Sequence, residues 1–143
     1  MMKKHIGIVV LWCLTLVFMV SCADKDIPAA ANTFINKYFP QASVVLVAID
    51  TDEDDGSNEY SVWLNDGTKI EFDMQGSMRK IARNKTGVPA AIMPTPITTY
   101  LKSHYPNDVV TKFSHKAYGY KVELSNDMDV RFSPKGKFLQ IVD

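Results

Sequence analysis

Apolar residues recur along the chain with two different periods, and the switch between them marks the elements. Ala31, Phe34, Ile35 and Tyr38 fall at i, i+3, i+4 and i+7, the single stripe of an amphipathic helix. Pro28 suits its first turn, and Pro40 stops it. The period then falls to two. Val44 to Ile49 is a β-branched run. Glu59 to Asn65 sets Tyr60, Val62 and Leu64 against Ser61 and Trp63. Thr68 to Met74 puts Ile70, Phe72 and Met74 on one side, and Met78 to Arg83 makes a fourth strand. Asp66-Gly67 and Gln75-Gly76-Ser77 are the turns between them.

The same succession then returns. Ile97, Tyr100, Leu101 and His104 repeat the helical stripe, with Thr95 as a capping residue, Pro96 at the first helical position and Pro106 as the stop. Val109 to His115, Tyr118 to Ser125, Met128 to Ser133 and Lys137 to Val142 repeat the strands. Ser125-Asn126-Asp127 and Pro134-Lys135-Gly136 provide turns. Ile27, Pro28, Phe34, Ile35, Phe39 and Pro40 match Met93, Pro94, Tyr100, Leu101, Tyr105 and Pro106 at a constant offset of 66. Tyr60, Val62, Leu64, Ile70, Phe72 and Gly76 match Tyr120, Val122, Leu124, Val130, Phe132 and Gly136 at an offset of 60. The six-residue difference falls in the loop around Asp50–Asn58. This regularity predicts an α+β fold of two tandem α-β-β-β-β copies, residues 27–83 and 93–143, joined by a linker at 84–92. The helices should pack on one face of an antiparallel sheet, leaving the other open to water.

The first 22 residues read as an address. Met1-Met2-Lys3-Lys4-His5 is basic, Ile6 to Val20 is apolar, and Ser21-Cys22-Ala23 is small. The apolar run is about 15 residues, short of the roughly 20 that a spanning helix needs. Met19-Val20-Ser21-Cys22 resembles a bacterial lipobox, with Met19 where that pattern prefers Leu. The resemblance implies a lipoprotein signal peptide over 1–21, a diacylglycerol on Cys22, and a tether at 22–26. The protein would then be exported and held at the envelope membrane, facing the periplasm or the cell surface. Cys13 lies within the leader, so Cys22 is the sole cysteine of the processed chain. That chain has no intramolecular disulfide and no thiolate site. Its 14 basic and 16 acidic residues give no basic face for nucleic acid, and none is expected as a partner.

The motif Tyr60-x-Val62-x-Leu64-Asn65-Asp66-Gly67, followed by Ile70-x-Phe72-Asp73-x-x-Gly76, resembles the bacterial PepSY-like, β-lactamase-inhibitor-protein-like envelope domains. So do the helices that end in Tyr-Phe-Pro and His-Tyr-Pro. The second copy departs at Asn126-Asp127-Met128 and Ser133-Pro134. The resemblance covers about 27–143 and implies a sheet-backed binding module without catalysis. It does not imply inhibition of a β-lactamase, because fold is shared more widely than function.

Candidate chemistry is sparse. Asp50-Thr51-Asp52-Glu53-Asp54-Asp55-Gly56 is the one dense acidic cluster. Asp50, Asp52 and Asp54 have the alternation of a calcium loop, but Asp55 stands where glycine is required and Ser61 where the bidentate glutamate belongs. A solvated hairpin connection is the plainer reading, and no cofactor is expected. Trp63 alternates outward, as do its second-copy counterpart Glu123 and the neighbouring Lys121. Val44 and Leu46 are expected beside Trp63, giving a contact patch for a protein or peptide. His104 and His115 are the histidines after the leader. With no nucleophile elbow or phosphate loop, the chain does not read as an enzyme. A cation or small-ligand sensor built on the acidic loop, or a purely structural envelope role, are the alternatives.

Overall fold

A computed structural model describes residues 26–142. The leader, Cys22 and most of the tether lie outside these residues. Helix α1 (Ala29–Tyr38) is followed by β1 (Val44–Thr51), β2 (Asn58–Leu64), β3 (Lys69–Asp73) and β4 (Met78–Ala82). A 3-10 turn at Ala90–Ile92 leads to α2 (Thr95–His104), then β5 (Val110–Lys116), β6 (Gly119–Leu124), β7 (Asp129–Phe132) and β8 (Phe138–Val142). All eight strands form one antiparallel sheet whose spatial order is the order of sequence.

The core is a row of side chains crossing the sheet in register. Val62, Ile70, Ile81, Phe113, Val122 and Val130 are paired from β2 to β7 and almost wholly buried. Both helices lie on this face. Ala31 and Ile35 of α1, and Ile97 and Leu101 of α2, enter the same core. Phe34 meets Phe72 edge to face with ring centres 5.7 Å apart, and Tyr100 meets Phe132 likewise at 5.5 Å. The stripe read in the sequence is therefore the buried stripe, except at its last position in α2, where His104 is exposed.

Several local expectations are corrected. Val44 does not share the outer face with Trp63. A bulge between Val44 and Leu46 shifts the register, so that Val44 pairs with Leu64 and packs on the core, while Leu46 pairs with Trp63. Met74 lies beyond the end of β3, in the turn, and is exposed. Thr95 is already helical. Pro94 precedes the helix, its carbonyl accepts from the Ile97 N–H at 3.0 Å, and no side chain caps. The same holds at Pro28 and Ala31.

The corresponding turns use different chemistry for one shape. Gly67 has φ +87°, and Asp127, 60 residues later, is a non-glycine residue at φ +65°. The Asp66 carboxylate accepts from the Thr68 N–H at 3.0 Å, as the Asn126 carbonyl does from Met128 at 3.1 Å. A left-handed residue with a Cβ costs about 1 kcal/mol. Asp127→Gly should therefore raise stability by about 0.5 kcal/mol, after the extra unfolded-state entropy of glycine, read as a small upward shift in Tm.

Candidate functional site

Alternation along each strand builds the second face of the sheet. One row runs Ala48, Ser61, Glu71, Lys80, Ser114, Lys121, Arg131 and Gln140, and a neighbouring row contains Leu46, Trp63, Lys69, Lys112, Glu123 and Asp129. Among the described residues no helix covers this face. Its charges are interleaved by sign. Lys69 Nζ lies 2.7 Å and Lys80 Nζ 3.7 Å from the Glu71 carboxylate, Lys112 lies 3.1 Å from Glu123, and Lys121 lies 2.9 Å from Asp129. Half-exposed pairs of this kind contribute little stability, between zero and about 1 kcal/mol each. Their effect is to leave the face polar and ordered.

Glu59, Ser61, Glu71 and Ser114 point to this uncovered face and are nevertheless buried. The longer connection between β1 and β2 contributes to this. Its tip folds over the sheet instead of extending into solvent. Asp54 pairs with Lys116 of β5, and Asp55 lies 3.8 Å from Arg79. The loop also holds itself together. Asp52 Oδ1 accepts from the N–H groups of Asp54 (2.7 Å) and Asp55 (3.2 Å), and Asp55 Oδ1 accepts from that of Ser57 (2.8 Å). These are the local turns for which aspartate is suited. Loop and sheet together enclose a recess of about 560 Å³ with Asp50, Glu59, Glu71, Lys80, Lys116 and Lys121 among its walls.

The recess divides its charge. At the β5 side the hydrogen bond and charge of Lys116 hold the Asp54 carboxyl below its usual range, with Lys80 and Lys121 adding to the effect. Burial disfavours the Lys116 ammonium, but Asp54 outweighs this and raises its pKa. At the β2 side burial pushes Glu59 up to about 7, and the carboxylates of Glu71 and Asp52 push it the same way. Among the described residues no hydrogen bond or ion pair engages the Glu59 carboxyl.

The expected site residues separate into groups. Trp63 is half-buried on the open face, with Leu46 beside it and Lys69 Nζ 5.1 Å from its ring centre. Lys121 and Glu123 share that face but lie four strands away, about 19 Å across the ladder. They do not form one compact patch with Trp63. Asp50, Asp52 and Asp54 all line the recess, yet Asp52 is turned to its own loop and Asp54 to Lys116. Among the described residues no three His, Cys, Asp or Glu side chains converge as metal ligands. His104 stacks on Tyr100 at 3.9 Å, its Nδ1 2.9 Å from the Tyr100 carbonyl, and His115 stacks on Tyr120. Glu59, Lys80 and Lys116 were not singled out by the sequence. Alternation places Glu59 outward, but only the folded-back loop makes it part of a site.

The family described as putative beta-lactamase-inhibitor-like, PepSY-like matches residues 58–140. The chain belongs to this family. Solved structures share the fold of this PepSY-like chain and part of its sequence. A putative periplasmic protein of unknown function from Bacteroides vulgatus is 33% identical, with a TM-score of 0.76, over 82% of this chain and 93% of that one. A putative calcium-regulated periplasmic protein from Bacteroides thetaiotaomicron is 30% identical, with a TM-score of 0.75, over 82% and 91%. A second Bacteroides vulgatus protein, of the DUF2874 family and also described as periplasmic, is 29% identical at a TM-score of 0.73, over 82% and 91%. No curated protein matches the chain. No helix among the described residues is long and apolar enough to cross a membrane.

Proposed function

We propose that this PepSY-like chain is a non-catalytic, lipid-anchored module of the cell envelope that binds a protein or peptide through the uncovered sheet face. The observation that carries the reading is the recess: a wide polar face with charges of both signs, no covering helix among the described residues, and a loop folded over it. A polypeptide supplies matching charges of both signs and enough length to span it. Trp63 and Leu46 give an apolar anchor at one end, and Lys121 and Glu123 a polar one at the other. The lipobox-like Met19-Val20-Ser21-Cys22 supports attachment through Cys22, and the periplasmic descriptions of the relatives suit that placement. The two αββββ units read as copies of one module, the first extended by the loop that walls the site.

The test is capture from detergent-solubilised envelope by the wild-type chain, Trp63→Ala and Lys116→Gln. A protein retained by wild type and reduced at least about tenfold by Trp63→Ala, with Tm unchanged within a few degrees, supports the reading. Equal capture by all three chains, or none, overturns it. A lowered Tm for Trp63→Ala would make that residue part of the framework instead.

One observation favours a second reading, a cation-responsive role. Glu59 is buried, unpaired and crowded by the charges of Glu71 and Asp52, an arrangement that a bound cation relieves. The Bacteroides thetaiotaomicron relative is described as calcium-regulated. In this reading millimolar calcium raises Tm, and Glu59→Gln abolishes the rise. Identical melting with calcium and with chelator removes it.

A further inference from the structure

Among the described residues, the two outer edges of the sheet repeat the chemistry of its internal seam. The halves are joined where β4 meets β5, with Lys80 opposite Ser114, Ile81 opposite Phe113 and Ala82 opposite Lys112. At the offset of 60, β8 is the counterpart of β4, so Gln140, Ile141 and Val142 stand for Lys80, Ile81 and Ala82. At the offset of 66, β1 is the counterpart of β5, so Ala48, Val47 and Leu46 stand for Ser114, Phe113 and Lys112. The side that β4 offers to β5 is the side that β8 leaves open. The side that β5 offers to β4 is the side of β1 that no other described strand occupies.

We infer that the partner these edges fit is a second copy of this chain, with β8 of one molecule pairing antiparallel to β1 of the next. The register follows from the seam: Gln140 opposite Ala48, Ile141 opposite Val47, and Val142 opposite Leu46. Ile141 and Val47 then extend the buried row of Val62, Ile81 and Phe113 across the junction. Gln140 and Ala48 extend the polar row of the other face.

Two further observations support this pairing. Of nine exposed large hydrophobic residues, six lie on the two edge strands, including Leu46 and Ile49 on β1 and Leu139 and Ile141 on β8. Sheets usually blunt their edges with lysine, proline or very short strands. Neither β1 nor β8 contains lysine, arginine or proline, whereas the internal seam has Lys80 and Lys112 at positions that the edges fill with Gln140 and Leu46. A β8–β1 contact joins two different surfaces, so each molecule keeps one edge free for the next and the assembly is a row rather than a symmetric pair.

Cysteine pairs test the register. In the full chain in detergent, with Cys13 and Cys22 replaced by serine, Ala48→Cys is mixed with Gln140→Cys and, separately, Leu46→Cys with Val142→Cys. Facing residues across an antiparallel ladder come within disulfide reach. The expected result is a cross-linked species in at least one mixture, with none from any single variant alone. Adding Ile141→Lys to the β8 partner abolishes it. Leu46→Lys, used with the Ala48→Cys and Gln140→Cys pair, does the same from the other edge. Cross-linking of Ala48→Cys with itself, or of Gln140→Cys with itself, overturns the head-to-tail pairing in favour of like edges. No mixed product from either pair overturns it outright. Leu46 also belongs to the proposed partner-binding face, so the Ala48→Cys and Gln140→Cys mixture with Ile141→Lys, which leaves Leu46 and Trp63 unchanged, separates failure of this pairing from failure of partner binding.

Discussion

Replacing Gly119 with alanine is expected to lower stability by about 3–5 kcal/mol, a drop in Tm on the order of 10–20 °C. Two costs combine. Gly119 opens β6 at φ +137°, a conformation that L side chains rarely adopt. A Cβ there would also stand 2.2 Å from the Phe132 carbonyl oxygen, 2.5 Å from the Ser133 carbonyl carbon and 2.7 Å from the Pro134 nitrogen. All three are backbone atoms, so no rotamer change relieves the overlap, and the end of β7 has to move. Gly67→Ala separates the two costs. Gly67 also has a positive φ, +87°, but nothing lies within 4 Å of its added Cβ. It should lose only about 1 kcal/mol. Equal losses in the two variants, read by denaturant unfolding, would contradict the steric account.

Glu59→Gln is expected to stabilise the protein at pH 8.5 by about 2 kcal/mol and to give no gain at pH 4. In the unfolded chain the Glu59 carboxyl ionises near 4.5, and in the folded protein at about 7. Below 4.5 both states are protonated and nothing is lost. Between these values the unfolded state releases the proton first, so stability falls as pH rises. Above 7 the folded protein carries a buried charge whose full cost is about 3 kcal/mol at 1.36 kcal/mol per pKa unit. Glutamine removes that charge, and because the carboxyl faces the recess, solvent screening there trims the recovered cost to about 2 kcal/mol. The direction is opposite to that of an ion-paired carboxylate such as Asp54, which Lys116 holds low. A stability difference that stays constant from pH 4 to 8.5 would show that Glu59 is already paired or solvated.

Element types and order were legible because apolar spacing reports which face is buried, and here one face of every element is. Phe34, Ile35, Val62, Phe72, Val122 and Phe132 were identifiable as inward residues from period alone, and they are inward. Val44 was misplaced because a bulge costs one residue of register and leaves no mark in the aliphatic run from Val44 to Ile49. Met74 was misplaced because alternation does not say where a strand stops. The site was less legible than the fold. The change of offset located an extra stretch in the first half, and its acidity was plain. That the stretch turns back over the sheet depends on Asp54 finding Lys116, 62 residues away, and on the hydrogen bonds of Asp52 within the loop. Neither contact has a period. Trp63 and Lys121 were chosen by alternation, which fixes the face but not the separation across it.

In this sheet every ladder joins strands that are neighbours along the chain. The longest excursion between partners is the path from β4 to β5 through α2, and every other ladder closes across a short connection. Closing entropy grows with the length of chain to be looped, so assembly can proceed strand by strand with only one sizeable loop to close. Folding should therefore be fast for an antiparallel sheet of this size. A chain released end first, as in passage through a membrane pore, could complete its first helix and four strands before the rest had emerged.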